Sequence, residues 1–154
     1  MDGLSNLYID KILSGNCNSF YGVYSANNIP TYILNKDNMS IVVNFANYGE
    51  IGTHFIVLKK TGNKFLFLDS LANKKDDLPD DLRRAIPRNT IFLLNQSIQH
   101  KHSTYCGFYC IYFALRMDQH YNVKLKPFKK RRKFENDSIC ITNILHMIKE
   151  KNKE

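Results

Sequence analysis

No run of the chain approaches the roughly 18 uninterrupted apolar residues that a bilayer-spanning helix requires. Met1-Asp2-Gly3 has none of the basic-then-apolar order of a signal peptide. A soluble, intracellular protein is therefore expected, with no membrane partner. Cysteine is scarce: Cys17, Cys106, Cys110 and Cys140 are the only four, and nothing in their spacing suggests a disulfide-stapled secreted domain. Free thiols in a reducing compartment are the expectation, and free thiols can do chemistry. Internal repeats and low-complexity linkers are also missing, so the 154 residues are read as one domain, 1–154, large enough for one hydrophobic core. Acidic residues are outnumbered by basic ones, 14 against 22, and the resulting net charge of +8 attracts polyanions at long range without bearing on the fold.

What is present reads as alternating short elements. Leu4, Leu7, Ile9, Ile12 and Leu13 recur at near-helical spacing and stop at Ser14-Gly15-Asn16, which predicts an N-terminal helix. Phe20 to Tyr24 and Ile29 to Leu34 read as two extended pieces joined by a polar turn. Met39 to Phe45 is nearly all apolar, and His54 to Leu58 and Lys64 to Leu68 form a predicted hairpin across Lys59-Lys60-Thr61-Gly62-Asn63, with Gly62 supplying the left-handed turn residue. Successive strands of this kind predict a mainly antiparallel sheet. Pro79 opens a short helix that Pro87 ends, and Thr90 to Leu94 is a further strand. The stretch from Cys106 to Leu115 is apolar on nearly every face and predicts a buried helix at the centre of the core. A basic segment over 124–133 then leads to a C-terminal helix over about 139–149. The expected class is α+β, a central buried helix packed on a mainly antiparallel sheet.

Within that scheme Cys106 stands out. A polar loop delivers it to the first turn of a buried helix, where unpaired backbone N–H groups and the macrodipole favour an anion. A cysteine nucleophile needs a base within hydrogen-bond reach and a third group to orient that base. His54 opens one strand of the predicted hairpin and Asp69 closes the other, so antiparallel pairing brings them to the same end of the sheet. Asp76 and Asp77 lie close in sequence, and only the strand-end position favours Asp69 over them.

At these residues the chain resembles the adenovirus-type cysteine proteases, the adenain family, relatives of the SUMO-deconjugating enzymes. Gly52-Thr53-His54-Phe55 is similar to the family's Gly-x-His-Trp segment, and Phe67-Leu68-Asp69-Ser70 to its strand ending in an acidic residue. Gln99-x6-Cys106-Gly107-x-Tyr109-Cys110 is similar to its Gln-x6-Cys-Gly-x-Phe-Cys signature. The resemblance runs from near Leu4 to about Gln119 and implies an adenain-like fold with Cys106 as nucleophile, His54 as base, Asp69 as the orienting acid and Gln99 in the oxyanion hole. It further implies a monomeric endopeptidase that needs no cofactor and cleaves viral structural precursors after small residues, in the virion and in the host nucleus or cytoplasm. Phe55 stands where the family has tryptophan, leaving an aromatic wall beside the histidine. The family's activating peptide is tethered through a disulfide, and Arg88 occupies the corresponding position here, so an activating peptide would not be disulfide-linked at that site.

Three other readings compete. His100, His102, Cys106 and Cys110 form an H-x-H-x3-C-x3-C cluster, although that spacing matches no common zinc finger and no metal is expected. Lys129, Lys130, Arg131, Arg132 and Lys133, together with Lys124, Lys126 and the interleaved Phe128 and Phe134, suit contact with phosphates and stacking on bases. DNA is thus a candidate partner, and a nucleic-acid-binding module without catalysis is the alternative class. A deconjugase of ubiquitin-like modifiers is the alternative within the fold.

Overall fold

The computed structural model describes residues 5–46, 54–120 and 125–153. Their order is α1 (Asn6–Asn16), β1 (Phe20–Ser25), β2 (Asn38–Asn44), β3 (Phe55–Thr61), β4 (Lys64–Leu68), α2 (Asp80–Ala85), β5 (Ile91–Phe92), α3 (Cys106–His120) and α4 (Glu135–Lys151). Two short 3-10 helices, Thr31–Asn35 and Lys75–Asp77, lie in the connections. The architecture is α+β, and among the described residues no helix is long and apolar enough to cross a membrane. Leu4, Gly52, Thr53 and Lys124, which entered the sequence reading, lie outside the described residues, as do the side chains of 119 and 120.

The five strands lie in the order β1-β2-β3-β4-β5. β2–β3 and β3–β4 are antiparallel, but β1–β2 and β4–β5 are parallel, so the sheet is mixed and not mainly antiparallel. The reason lies in the connections. A parallel pair needs a crossover over one face of the sheet, and Ile29 to Leu34, expected as a strand, instead winds into the 3-10 helix at Thr31–Asn35 that makes this crossover. The segment carrying α2 makes the second one. Both pack on the same face, where Ile33, Leu78, Leu82 and Ile86 meet Met39, Ile41, Val43, Ile56, Leu58 and Phe67.

The opposite face presents Val42, Phe55, Val57 and Leu68 to the three longer helices, with Tyr109, Tyr112 and Phe113 of α3 at the centre of that core. A sheet covered on both faces explains why β2 is buried at every position after Asn38 instead of alternating between buried and exposed. Lys59 is an exception to the expected pattern. The predicted turn included it, yet β3 continues through it to Thr61 and Lys59 is fully buried. Its ammonium donates to Ser19 Oγ at 3.0 Å and Asn38 Oδ1 at 2.7 Å, which satisfies the polar head of a side chain inside the sandwich. The hairpin loop is thus only Gly62-Asn63, between the paired Thr61 and Lys64, and Gly62 sits at φ +60° as a tight two-residue turn requires.

Candidate active site

The β3–β4 hairpin pairs Val57 with Leu68, so His54 and Asp69 fall at the same end of the sheet. There His54 Nε2 lies 2.6 Å from Asp69 Oδ1, and both residues are buried. Asp69 is itself anchored: Oδ1 accepts the Leu71 N–H at 2.9 Å and Oδ2 accepts an amide N–H of Asn73 at 2.7 Å. A carboxylate with three donors has little freedom to turn, and it holds the imidazole in one orientation. Of the two alternative acids, Asp77 caps its own 3-10 helix by accepting the Lys74 N–H at 2.8 Å, and Asp76 is exposed on that same helix.

α3 begins at Cys106, and its thiol makes a side-chain hydrogen bond with His54. With Nε2 engaged by Asp69, Nδ1 is the ring nitrogen left for the sulfur. Of the four cysteines only Cys106 is partly exposed; Cys17, Cys110 and Cys140 are buried. Burial pushes the thiols of those three up, so they are poor nucleophiles. Burial also acts on His54, where it is the largest single influence and favours the neutral ring. The hydrogen bonds to Asp69 and Cys106, with the negative charge available on both, together outweigh it and raise the His54 pKa to about 9. The surroundings thus favour the protonated ring of His54.

Gln99 lies in the loop before α3 and is 2% exposed. Its Oε1 accepts from Ser70 Oγ at 2.5 Å and its Nε2 donates to the Ser103 carbonyl at 2.9 Å. An amide nitrogen carries two hydrogens, and Ser103 takes one of them. The backbone follows the same pairing, since the Ser70 carbonyl accepts from the N–H groups of Ile98 and Gln99. Ser70 therefore links the strand end that bears the acid to the loop that bears the amide. Asn95 and Gln96, the other amides of that loop, are exposed.

The four residues singled out in the sequence are thus brought to one end of the molecule. The aromatic neighbour differs from the expectation: Phe55 is buried in the helix-side core, while Phe45 places its ring edge-on to His54 with centroids 5.0 Å apart. The reason is strand geometry, because Phe55 is the first residue of β3 and shares its inward face with Val57. Asn73, Ser70 and Ser103 were missed. They are short polar residues in loops, and only the folded contacts set them apart from other turn residues.

The basic segment is only partly available. Lys129, Lys130, Arg131 and Arg132 are exposed and Lys133 is half-buried. Glu135 pairs with Lys129 and, at 3.8 Å, with Arg132. Phe128 is buried against Tyr109 and Tyr112 and cannot stack on a base; Phe134 stacks on His100 at 3.9 Å. That stacking and the burial of Cys110 separate the members of the histidine–cysteine cluster, and among the described residues no group of three or more His, Cys, Asp or Glu could hold a metal. Arg88 is exposed, beside the turn closed by the Thr90 N–H on the Pro87 carbonyl.

Chemically, the arrangement is a thiol, an imidazole and a carboxylate in series beside an immobilised amide, the set needed for acyl transfer through a covalent thioester. No protein-family model and no curated protein sequence matches the chain.

Proposed function

We propose that this protein is a cysteine endopeptidase with an adenain-like fold. The observation that carries the reading is the Asp69–His54–Cys106 series, with its one partly exposed thiol at the start of a buried helix. The Cys106 thiolate attacks the scissile carbonyl carbon, and the oxyanion accepts hydrogen bonds from the Cys106 backbone N–H and the remaining Gln99 amide hydrogen. His54 then gives its proton to the leaving amine, which departs and leaves a thioester on Cys106. Water, deprotonated by His54, hydrolyses that thioester and restores the thiol. Asp69 keeps the ring oriented throughout without taking the proton.

The resemblance to adenain extends the reading to substrates cut after small residues, glycine among them, in viral structural precursors. The exposed Lys130 and Arg131, next to the ion-paired Lys129 and Arg132, support contact with a polyanion such as DNA as a secondary property. Hydrolysis of peptides carrying an internal Gly–Gly bond tests the reaction. Cys106→Ala should abolish turnover, and Gln99→Ala should lower kcat by about two to three powers of ten. Full turnover by Cys106→Ala would end the reading; no turnover by the unaltered chain, with DNA affinity kept in Cys106→Ala, would leave the nucleic-acid-binding class. Turnover confined to the C-terminal tails of ubiquitin-like modifiers would move it to deconjugation.

A further inference from the structure

Tyr109 stands where the resembled signature has phenylalanine, and its added hydroxyl is not idle. The side chain is fully buried on α3, about one turn beyond Cys106, and its O–H donates to Asp137 Oδ1 at 2.8 Å. Burial first, and the Asp137 hydrogen bond and charge next, push the phenol's ionisation far up, so it remains a donor. Asp137 belongs to the first turn of α4 and receives a second donor: Ser103 Oγ lies 3.1 Å from Oδ1 and 2.9 Å from Oδ2. Ser103 Oγ in turn accepts the Tyr105 N–H at 3.2 Å, immediately before the nucleophile. The Ser103 carbonyl is the acceptor that holds the Gln99 amide nitrogen.

The preceding residue of α4 acts on the same loop. Asn136 is fully buried, and its Nδ2 donates to the Ile98 carbonyl at 2.7 Å, one residue before Gln99. Two consecutive residues of one helix therefore grip the loop at Ile98 and at Ser103, on either side of Gln99.

We propose that Asp137 is a positioning residue for the oxyanion hole, setting the Gln99 amide through Ser103 and using the Tyr109 hydroxyl to tie that setting to the helix that carries Cys106. The inference rests on the endopeptidase reading. Gln99 is locked at its carbonyl end by Ser70, so the direction of its free N–H depends on where the Ser103 carbonyl stands. An oxyanion donor acts only if it is already aimed at the developing charge, and a shift of a fraction of an ångström forfeits much of its effect. The thiol and imidazole do not depend on this arm, because His54 is oriented from the other side by Asp69.

The test compares Asp137→Asn and Tyr109→Phe with the unaltered chain. Asp137→Asn keeps the shape but leaves one oxygen for two donors, and Tyr109→Phe removes only the strut. Peptide hydrolysis should lose about tenfold or more in kcat for Asp137→Asn, less for Tyr109→Phe, with KM unchanged. Alkylation of Cys106 by iodoacetamide, a displacement with no oxyanion, should keep its rate. In a Gln99→Ala background Asp137→Asn should cost nothing further, since the group it positions is gone. Undiminished kcat, a parallel loss of alkylation, or full additivity with Gln99→Ala would each overturn the proposal. A wild-type chain that hydrolyses no peptide would defeat the endopeptidase reading separately. The clamp is then judged by NMR of the Gln99 side-chain amide, which should be protected from exchange in the wild type and lose that protection in Asp137→Asn; equal protection in the two overturns it.

Discussion

Protonation of His54 sets the pH range over which the proposed chemistry can run. Its pKa is raised from the ordinary 6.5 to about 9, so the folded protein holds the proton more tightly than the unfolded chain. The stability this contributes is fully present below about 6.5 and is lost as pH rises through about 9. In the proposed mechanism the same proton is the one given to the leaving amine. The pH–rate profile for peptide hydrolysis should therefore have an alkaline limb near pH 9. Asp69→Asn removes the carboxylate charge that offsets burial, so the limb should move downward and kcat should fall. An alkaline limb that stays in place in Asp69→Asn would mean that Asp69 does not act on His54 as its geometry indicates.

At the scale of elements, the hairpin is what brings His54 and Asp69 together, and its two structural demands are separable. Gly62 adopts φ +60° with open space around its Cα, so Gly62→Ala meets strain and no clash and should cost about 1–2 kcal/mol in chemical denaturation. Leu68 is fully buried beneath α3, and Leu68→Ala should cost about 2–5 kcal/mol through lost burial and a residual cavity. A Gly62→Ala chain as stable as the wild type would contradict the turn assignment. The hairpin was also the most legible part of the chain, because strand–turn–strand pairing is local and Gly62 marks it. The buried helix beginning at Cys106 was legible for a similar reason, a long apolar run after a polar loop. The sheet's parallel pairs were not. Strand direction depends on whether a connection crosses the sheet, and Tyr32-Ile33-Leu34 has the same apolar character in a strand as in the 3-10 turn it forms. Lys59 was placed in a turn because nothing local reveals that Ser19 and Asn38, far away in sequence, will supply its partners. In the site, Cys106, His54 and Asp69 could be named from residue type and placement, and Gln99 from the family resemblance. Asn73, Ser70, Ser103 and Asp137 could not, since their roles come from contacts that only the folded chain makes.

Over the whole molecule the charge of +8 is unevenly used. Glu135 engages Lys129 and Arg132, while Lys130 and Arg131 stand exposed beside them. If this segment is the main phosphate contact, Lys130→Ala with Arg131→Ala should reduce the slope of log affinity for duplex DNA against log salt by about 0.9 per charge removed. An unchanged slope would place the contact elsewhere. The central claim is that one thiol among four, at the start of α3 and paired with His54, is the nucleophile. It is tested most directly by incubating the protein with a glycine-ended peptide vinyl sulfone and locating the adduct by mass. A single adduct on Cys106, lost in His54→Ala, is the predicted result. An adduct on Cys17, Cys110 or Cys140, or none at all on Cys106, would contradict it.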